Sequence, residues 1–216
     1  MGDGSSPGQG KDPKAVWCTV RPVAFASAAI PSRLLAPALV AASLLAFLLA
    51  GRADGAERAW STYLGPEGAC TSAGDANAPV ASQVRAVACL VNWARRQENM
   101  KSLSRRSALS AAAARKGLKV ASCGDFSHTP CGSSVTSGVD ASGYRFALFG
   151  ENLFAGAWGK ATPRDVVSAW LQSPPHRANI MSGLFRHVGL APVRANGLMG
   201  QPDAVVWTAT FASPRS

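Results

Sequence analysis

Side chains able to move a proton or hold a metal near neutral pH are scarce in this chain. Histidine occurs three times, at His128, His176 and His187. His128 stands in Phe126-Ser127-His128-Thr129, and His176 in Ser173-Pro174-Pro175-His176-Arg177-Ala178-Asn179-Ile180. Between them Gly150-Glu151-Asn152 supplies a carboxylate. Imidazole accepts a proton, donates one or ligates a metal, and a carboxylate orients it or shares the metal. His128, Glu151 and His176 are therefore the natural site set, although spacing alone does not bring them together. Ser173 invites a Ser173–His176–Glu151 triad. Against it stand the absence of a G-x-S-x-G elbow and the position of Ser173 at a helix end. H-E-x-x-H is absent as well. Metal-assisted hydrolysis with Glu151 as base stays open. Asn152 and Asn179 read as turn and capping residues, whose amides bond neighbouring backbone groups, and His187 as a structural residue opening a strand.

The elements that must position these groups follow from periodicity. Val84, Val87, Ala88, Val91 and Ala94 recur at helical spacing and predict a helix over 82–97. A second is expected over 105–120, with Leu109, Ala112, Ala113 and Lys116 on one stripe, followed by a loop over 122–138. Thr162-Pro163-Arg164-Asp165 reads as a capping box with proline at the first helical position. Pro174-Pro175 ends that helix. Residues 187–193 and 204–211 read as two strands around Asn196-Gly197, the second alternating Val205, Trp207, Ala209 and Phe211 on one face. Their connection reads as longer than a tight hairpin. Helices followed by antiparallel strands indicate an α+β domain.

Taken in order, Cys89-Leu90-Val91-Asn92 with Arg95, the Phe126-Ser127-His128-Thr129 turn, Gly143-Tyr144 ahead of Gly150-Glu151-Asn152, and the block from Trp170 to Ile180 form a recognisable series. Phe185-Arg186-His187-Val188-Gly189 and a closing strand with Trp207 complete it. The series resembles the bacterial branch of the CAP superfamily, the cysteine-rich secretory protein, antigen 5 and pathogenesis-related 1 group, also called SCP-like extracellular proteins. The likeness covers about residues 80–211. It implies a three-layer α-β-α sandwich with an antiparallel central sheet. It also implies that His128, Glu151 and His176 line one cavity, and that His128 and His176 are the pair that holds a divalent metal in several members. The fuller eukaryotic pattern has a second glutamate where Ser173 aligns here, which leaves two histidines, one glutamate and a hydroxyl facing an open position. Zn2+ or another divalent cation is the cofactor this set admits.

Of five cysteines, Cys18 precedes a long apolar run, while Cys70, Cys89, Cys123 and Cys131 follow it without C-x-x-C spacing. An even set of this kind indicates disulfides rather than zinc. Four cysteines allow three pairings. Sequence proximity, together with the family resemblance, favours Cys70–Cys89 and Cys123–Cys131, the latter closing a loop around His128. A closure this short is worth about 2–3 kcal/mol.

Residues 1–33 read as a disordered basic segment, 34–50 as a signal peptide or membrane anchor, 51–79 as a linker and 80–213 as the CAP domain. Cations before the apolar run direct the downstream chain outward, so the domain is expected to be secreted or anchored facing outward. The formal net charge is +10. Between Arg95 and Lys119 stand eight cations against Glu98 alone. A solvated basic face is the plain reading; anionic envelope polymers or lipid headgroups are the partners it would attract. No nucleic-acid module accompanies the charge, so nucleic acid is not expected. The overall expectation is a monomeric binding module with an unidentified ligand. A secreted His/Glu-dependent or metal-assisted hydrolase and a lipid or envelope-polymer binder are the alternatives.

Overall fold

The computed structural model describes residues 58–215. The basic leader, the apolar run 34–50 and Cys18 lie outside the described residues. A 3-10 helix, Arg58–Leu64, opens the described chain. Five α-helices come after it: α1 Val80–Gln97, α2 Ser107–Cys123, α3 Ser137–Asp140, α4 Pro163–Gln172 and α5 Pro174–Ile180. Four strands, β1 Ser104–Arg105, β2 Phe146–Ala157, β3 His187–Leu198 and β4 Gln201–Pro214, form one sheet in the order β1-β3-β4-β2. β4 runs antiparallel to both β2 and β3, and only the two-residue β1 is parallel to its neighbour.

Alternation along β4 divides the core. Val205, Trp207, Ala209 and Phe211 pack with α1 and α4 residues such as Leu90, Val91, Val166 and Trp170. Ala204, Val206 and Ala212 turn to the opposite face, where Leu109, Ala112 and Val120 of α2 meet them. Both faces of the strand are therefore covered, and the described residues form the expected three-layer α-β-α sandwich. From the stretch read as linker, Leu64, Cys70 and Ala73 enter the first of these cores. Cys70 is bonded to Cys89 of α1, and Cys123 at the end of α2 to Cys131.

Contact between α2 and the sheet is unusually intimate at two glycines. A Cβ on Gly189 of β3 would lie 2.0 Å from the carbonyl carbon of Leu109 and 2.3 Å from its oxygen. One on Gly117 of α2 would lie 2.7 Å from Val193. Only hydrogen fits at either place, so helix backbone rests on strand.

The residue pattern assigns no element around Glu151, where the structure has an edge strand paired along its length with β4; glycines at 150 and 156 and the polar Glu151-Asn152 step mask its alternation. Two sequence expectations change. Pro174-Pro175 ends one helix and also begins α5, because proline without an amide hydrogen is well placed in a first turn. The β3–β4 connection is a tight two-residue turn at Met199-Gly200, with Leu198 opposite Gln201. Both turn residues have positive φ, 51° and 74°, the backbone that matches strand twist in a short hairpin. Asn196-Gly197 lies within β3. The capping box stands as read: Thr162 Oγ1 accepts from the Asp165 amide at 3.1 Å, and Asp165 Oδ2 from the Thr162 amide at 2.9 Å.

Gly189→Ala is expected to lower stability by about 3 kcal/mol or more, because backbone must move to admit the methyl. Gly74→Ala, which has nothing within 4 Å, is expected to stay within about 0.5 kcal/mol of the parent. Urea unfolding of the two variants checks both.

Candidate functional site

In the β2–β4 ladder Glu151 lies opposite Thr210 and Asn152 opposite Ala209. Consecutive strand residues point to opposite faces. Glu151 accordingly serves the α2 layer, and Asn152 the layer of α4 and α5.

On the α2 side, Glu151 Oε1 is 2.8 Å from His128 Nδ1 and 3.4 Å from Lys116 Nζ. The same ammonium donates to the His128 carbonyl. Side-chain exposure is 2% for Lys116 and 3% for Glu151, against 33% for His128. A buried ion pair has thus formed with a histidine at its solvent edge. The ionised carboxylate can only accept, so His128 Nδ1 carries the proton and donates it. The loop between Cys123 and Cys131 holds that histidine over the pair.

On the other side Asn152 is fully buried. Its Nδ2 donates to the His176 carbonyl at 2.9 Å, and its Oδ1 accepts from Asn179 Nδ2 at 2.8 Å. Asn179 Nδ2 also reaches the Glu151 carbonyl at 3.2 Å. The two asparagines are therefore not turn or capping residues. They fasten the edge strand to α5, and so fix His176 relative to Glu151. Gly150 leaves room for this, since a Cβ there would lie 2.8 Å from Asn179 Oδ1.

His176 Nδ1 is buried and has no hydrogen-bond partner. Burial, and secondarily the charge of nearby His128, push its pKa down to about 4. At neutral pH it is an uncharged imidazole with an uncommitted nitrogen. Ser173 is buried at the joint between α4 and α5, and its hydroxyl does not cap α5. His187 bonds the Tyr144 hydroxyl through Nδ1 and Arg106 Nη2 through Nε2, away from this cluster.

Lys116 is the member that the residue pattern left unassigned. Its position on the buried stripe with Leu109, Ala112 and Ala113 was the available signal, because a lysine there must be paired or bear the full penalty of desolvation. Arg95 is likewise buried and donates to the carbonyls of Lys101, Ile180 and Ser182 at 2.9, 2.6 and 2.9 Å. Two of the eight cations between Arg95 and Lys119 are therefore internal, and the solvated face is smaller than composition suggests.

His176 offers a neutral imidazole, and His128, whose Nδ1 is bonded to Glu151, matches the carboxylate–histidine arrangement found behind metal ligands. Among the described residues no group of three or more His, Cys, Asp or Glu side chains surrounds a single point.

These features define a small α-β-α domain with a His/Glu cluster where an edge strand meets two covering layers. Residues 89–211, more than half the chain, match the sequence model described as the cysteine-rich secretory protein family, CAP. The chain belongs to this family. It is 30% identical over 123 residues to the uncharacterized protein YkwD of Bacillus subtilis (strain 168), a match that takes in 56% of this chain and 47% of that protein. The chain thus spans about half the length of that relative. Among solved structures, an extracellular protein of Bacillus anthracis containing an SCP domain matches with a TM-score of 0.52 and 19% identity, over 61% of this chain and 40% of the other. An outer surface protein of Borrelia burgdorferi matches with a TM-score of 0.55 and 18% identity, over 63% and 96%. At such identities the two structures share the fold.

Between pH 6.5 and about 4 an unfolded chain would protonate residue 176 while the folded one would not. Stability from this residue is therefore complete above pH 6.5 and declines as pH falls toward 4. Burial and Arg106 also lower the pKa of His187, which adds a slope of the same sign. Chemical unfolding of parent and His176→Gln across this window is expected to show a shallower loss in the variant.

Proposed function

We propose that this chain is an exported CAP-domain protein that acts outside the cell as a binding module, with His128, Glu151 and His176 as its recognition site. The observation that carries the reading is the buried Lys116–Glu151 pair with His128 on the same carboxylate oxygen. Apolar replacements of such a pair often stabilise a protein, so it is weak evidence for a purely structural role. Export is supported by the two disulfides and by the apolar run 34–50 behind basic residues. The matched Bacillus anthracis and Borrelia proteins are described as an extracellular and an outer surface protein. Among the described residues no helix is long and apolar enough to cross a membrane.

His128 and His176 are also the residues that would hold a divalent cation such as Zn2+, with Glu151 orienting the first of them. A bound cation would polarise a ligand oxygen or a water. The enzymatic reading, a secreted hydrolase, draws on one observation of its own. His176 is neutral at physiological pH and has a buried, unpaired nitrogen, the state required of a general base.

Calorimetric titration of the purified oxidised protein with Zn2+ is expected to give one-to-one binding that disappears in both His128→Ala and His176→Ala. Binding that survives both substitutions would show that the histidines do not share a site. Turnover of an ester, peptide or glycoside that His176→Ala abolishes would assign the protein to the hydrolases instead.

A further inference from the structure

The cations of α2 outside the buried network border a cavity. It has a volume of about 180 Å³ and is lined by Arg115, Lys116, Lys119, Ser137 and Gly138. It lies between the C-terminal half of α2 and the start of α3. Its floor is closely built: a Cβ on Gly138 would lie 2.8 Å from the Ala112 carbonyl oxygen, so α3 rests on the backbone of α2. All three charged residues of the lining are positive. Glu151 answers the Lys116 ammonium on the inner side, which leaves Arg115 and Lys119 as the cavity's unanswered charge. The ion pairs among the described residues are Lys116–Glu151, His128–Glu151 and Arg194–Asp203, and neither Arg115 nor Lys119 takes part in one. Asp140, the acid of α3, lines a different cavity with Tyr144, Arg145 and Arg215.

Arg115 and Lys119 are four residues apart on one helix, where like charges repel and weaken the helix. An anion between them relieves that repulsion. The guanidinium offers a planar fork and the ammonium a compact point charge, a combination suited to a phosphate group. Ser137 adds a hydroxyl at the cavity wall.

We propose that this cavity binds a phosphate group through Arg115 and Lys119, independently of the His128–Glu151 site. The group is carried either by a soluble phosphate ester or by a phospholipid headgroup, and the chemistry is the same for both.

The test titrates the protein with glycerol phosphate and, separately, measures its partition onto phosphatidylcholine vesicles with and without phosphatidic acid. Saturable binding to at least one of the phosphate-bearing probes is expected. Binding to glycerol phosphate alone identifies a soluble ester as the source, and partition onto phosphatidic acid vesicles identifies the headgroup. In Arg115→Ser/Lys119→Ser, and in Ser137→Trp, which fills the cavity without changing charge, affinity is expected to fall about tenfold or more, some 1.4 kcal/mol. Lys101→Ser/Arg105→Ser removes the same charge elsewhere on the basic stretch, and His176→Ala disturbs the other site; both are expected to bind like the parent. Should Ser137→Trp fail to fold, the double serine variant decides, since Arg115 and Lys119 are exposed. No saturable binding by the parent, an equal loss in the Lys101/Arg105 control, or full binding by the Arg115/Lys119 variant would overturn the proposal.

Discussion

Lys116 and Glu151 hold opposite charges almost entirely out of water, and this sets conditions on the rest of the fold. Desolvation costs several kcal/mol per ion, and attraction offsets it only when the remaining donors and acceptors are matched. Here the ammonium also meets the His128 carbonyl, and the carboxylate also meets the His128 ring. Each of these contacts depends on a different element. α2 must lie flush against the sheet, which Gly117 and Gly189 permit. β2 must hold the register that turns Glu151 toward α2, and the Cys123–Cys131 loop must carry His128 back over the helix.

The opposite layer meets a parallel demand with neutral groups. Asn152 and Asn179 bond each other and the backbone on either side. Arg95 closes the end of α5 by donating to the carbonyls of Ile180 and Ser182. Trp170 Nε1 donates to the Leu153 carbonyl at 3.1 Å and secures the same edge strand from α4. β2 is thus gripped from both faces at Glu151, Asn152 and Leu153. His128 and His176 approach from separate layers, yet the strand between them fixes their relation. Burial, and after it the charge of His128, keeps His176 neutral.

Much of this architecture can be read in the residues. Helical spacing located α1 and α2, the Thr162–Asp165 box located α4, and alternation through Trp207 placed β4. Cysteine proximity together with the family series named both disulfides. What escaped has a common cause. β2 carries glycine and a buried polar step where a strand pattern would show apolar residues, because its neighbours approach too closely for larger side chains. The Met199-Gly200 turn has glycine at one central position and an atypical residue at the other. Lys116 counts as surface charge by composition, and only the arrangement of α2, β2 and the disulfide loop reveals that it is internal. His128, Glu151 and His176 were legible as a set through the family series; the lysine that makes their shared environment possible was legible only as an anomaly on an apolar stripe.

Lys116 and Glu151 work as one unit beneath His128. A double-mutant cycle on unfolding free energy, with Lys116→Met, Glu151→Gln and the combined variant, addresses this directly. Each single change leaves a charge buried without its partner and is predicted to cost about 3–5 kcal/mol. The combined change is predicted to cost well below their sum, with a coupling of about 1–3 kcal/mol. Additivity within about 0.5 kcal/mol would mean that the two charges are independent, and would contradict their action as one unit.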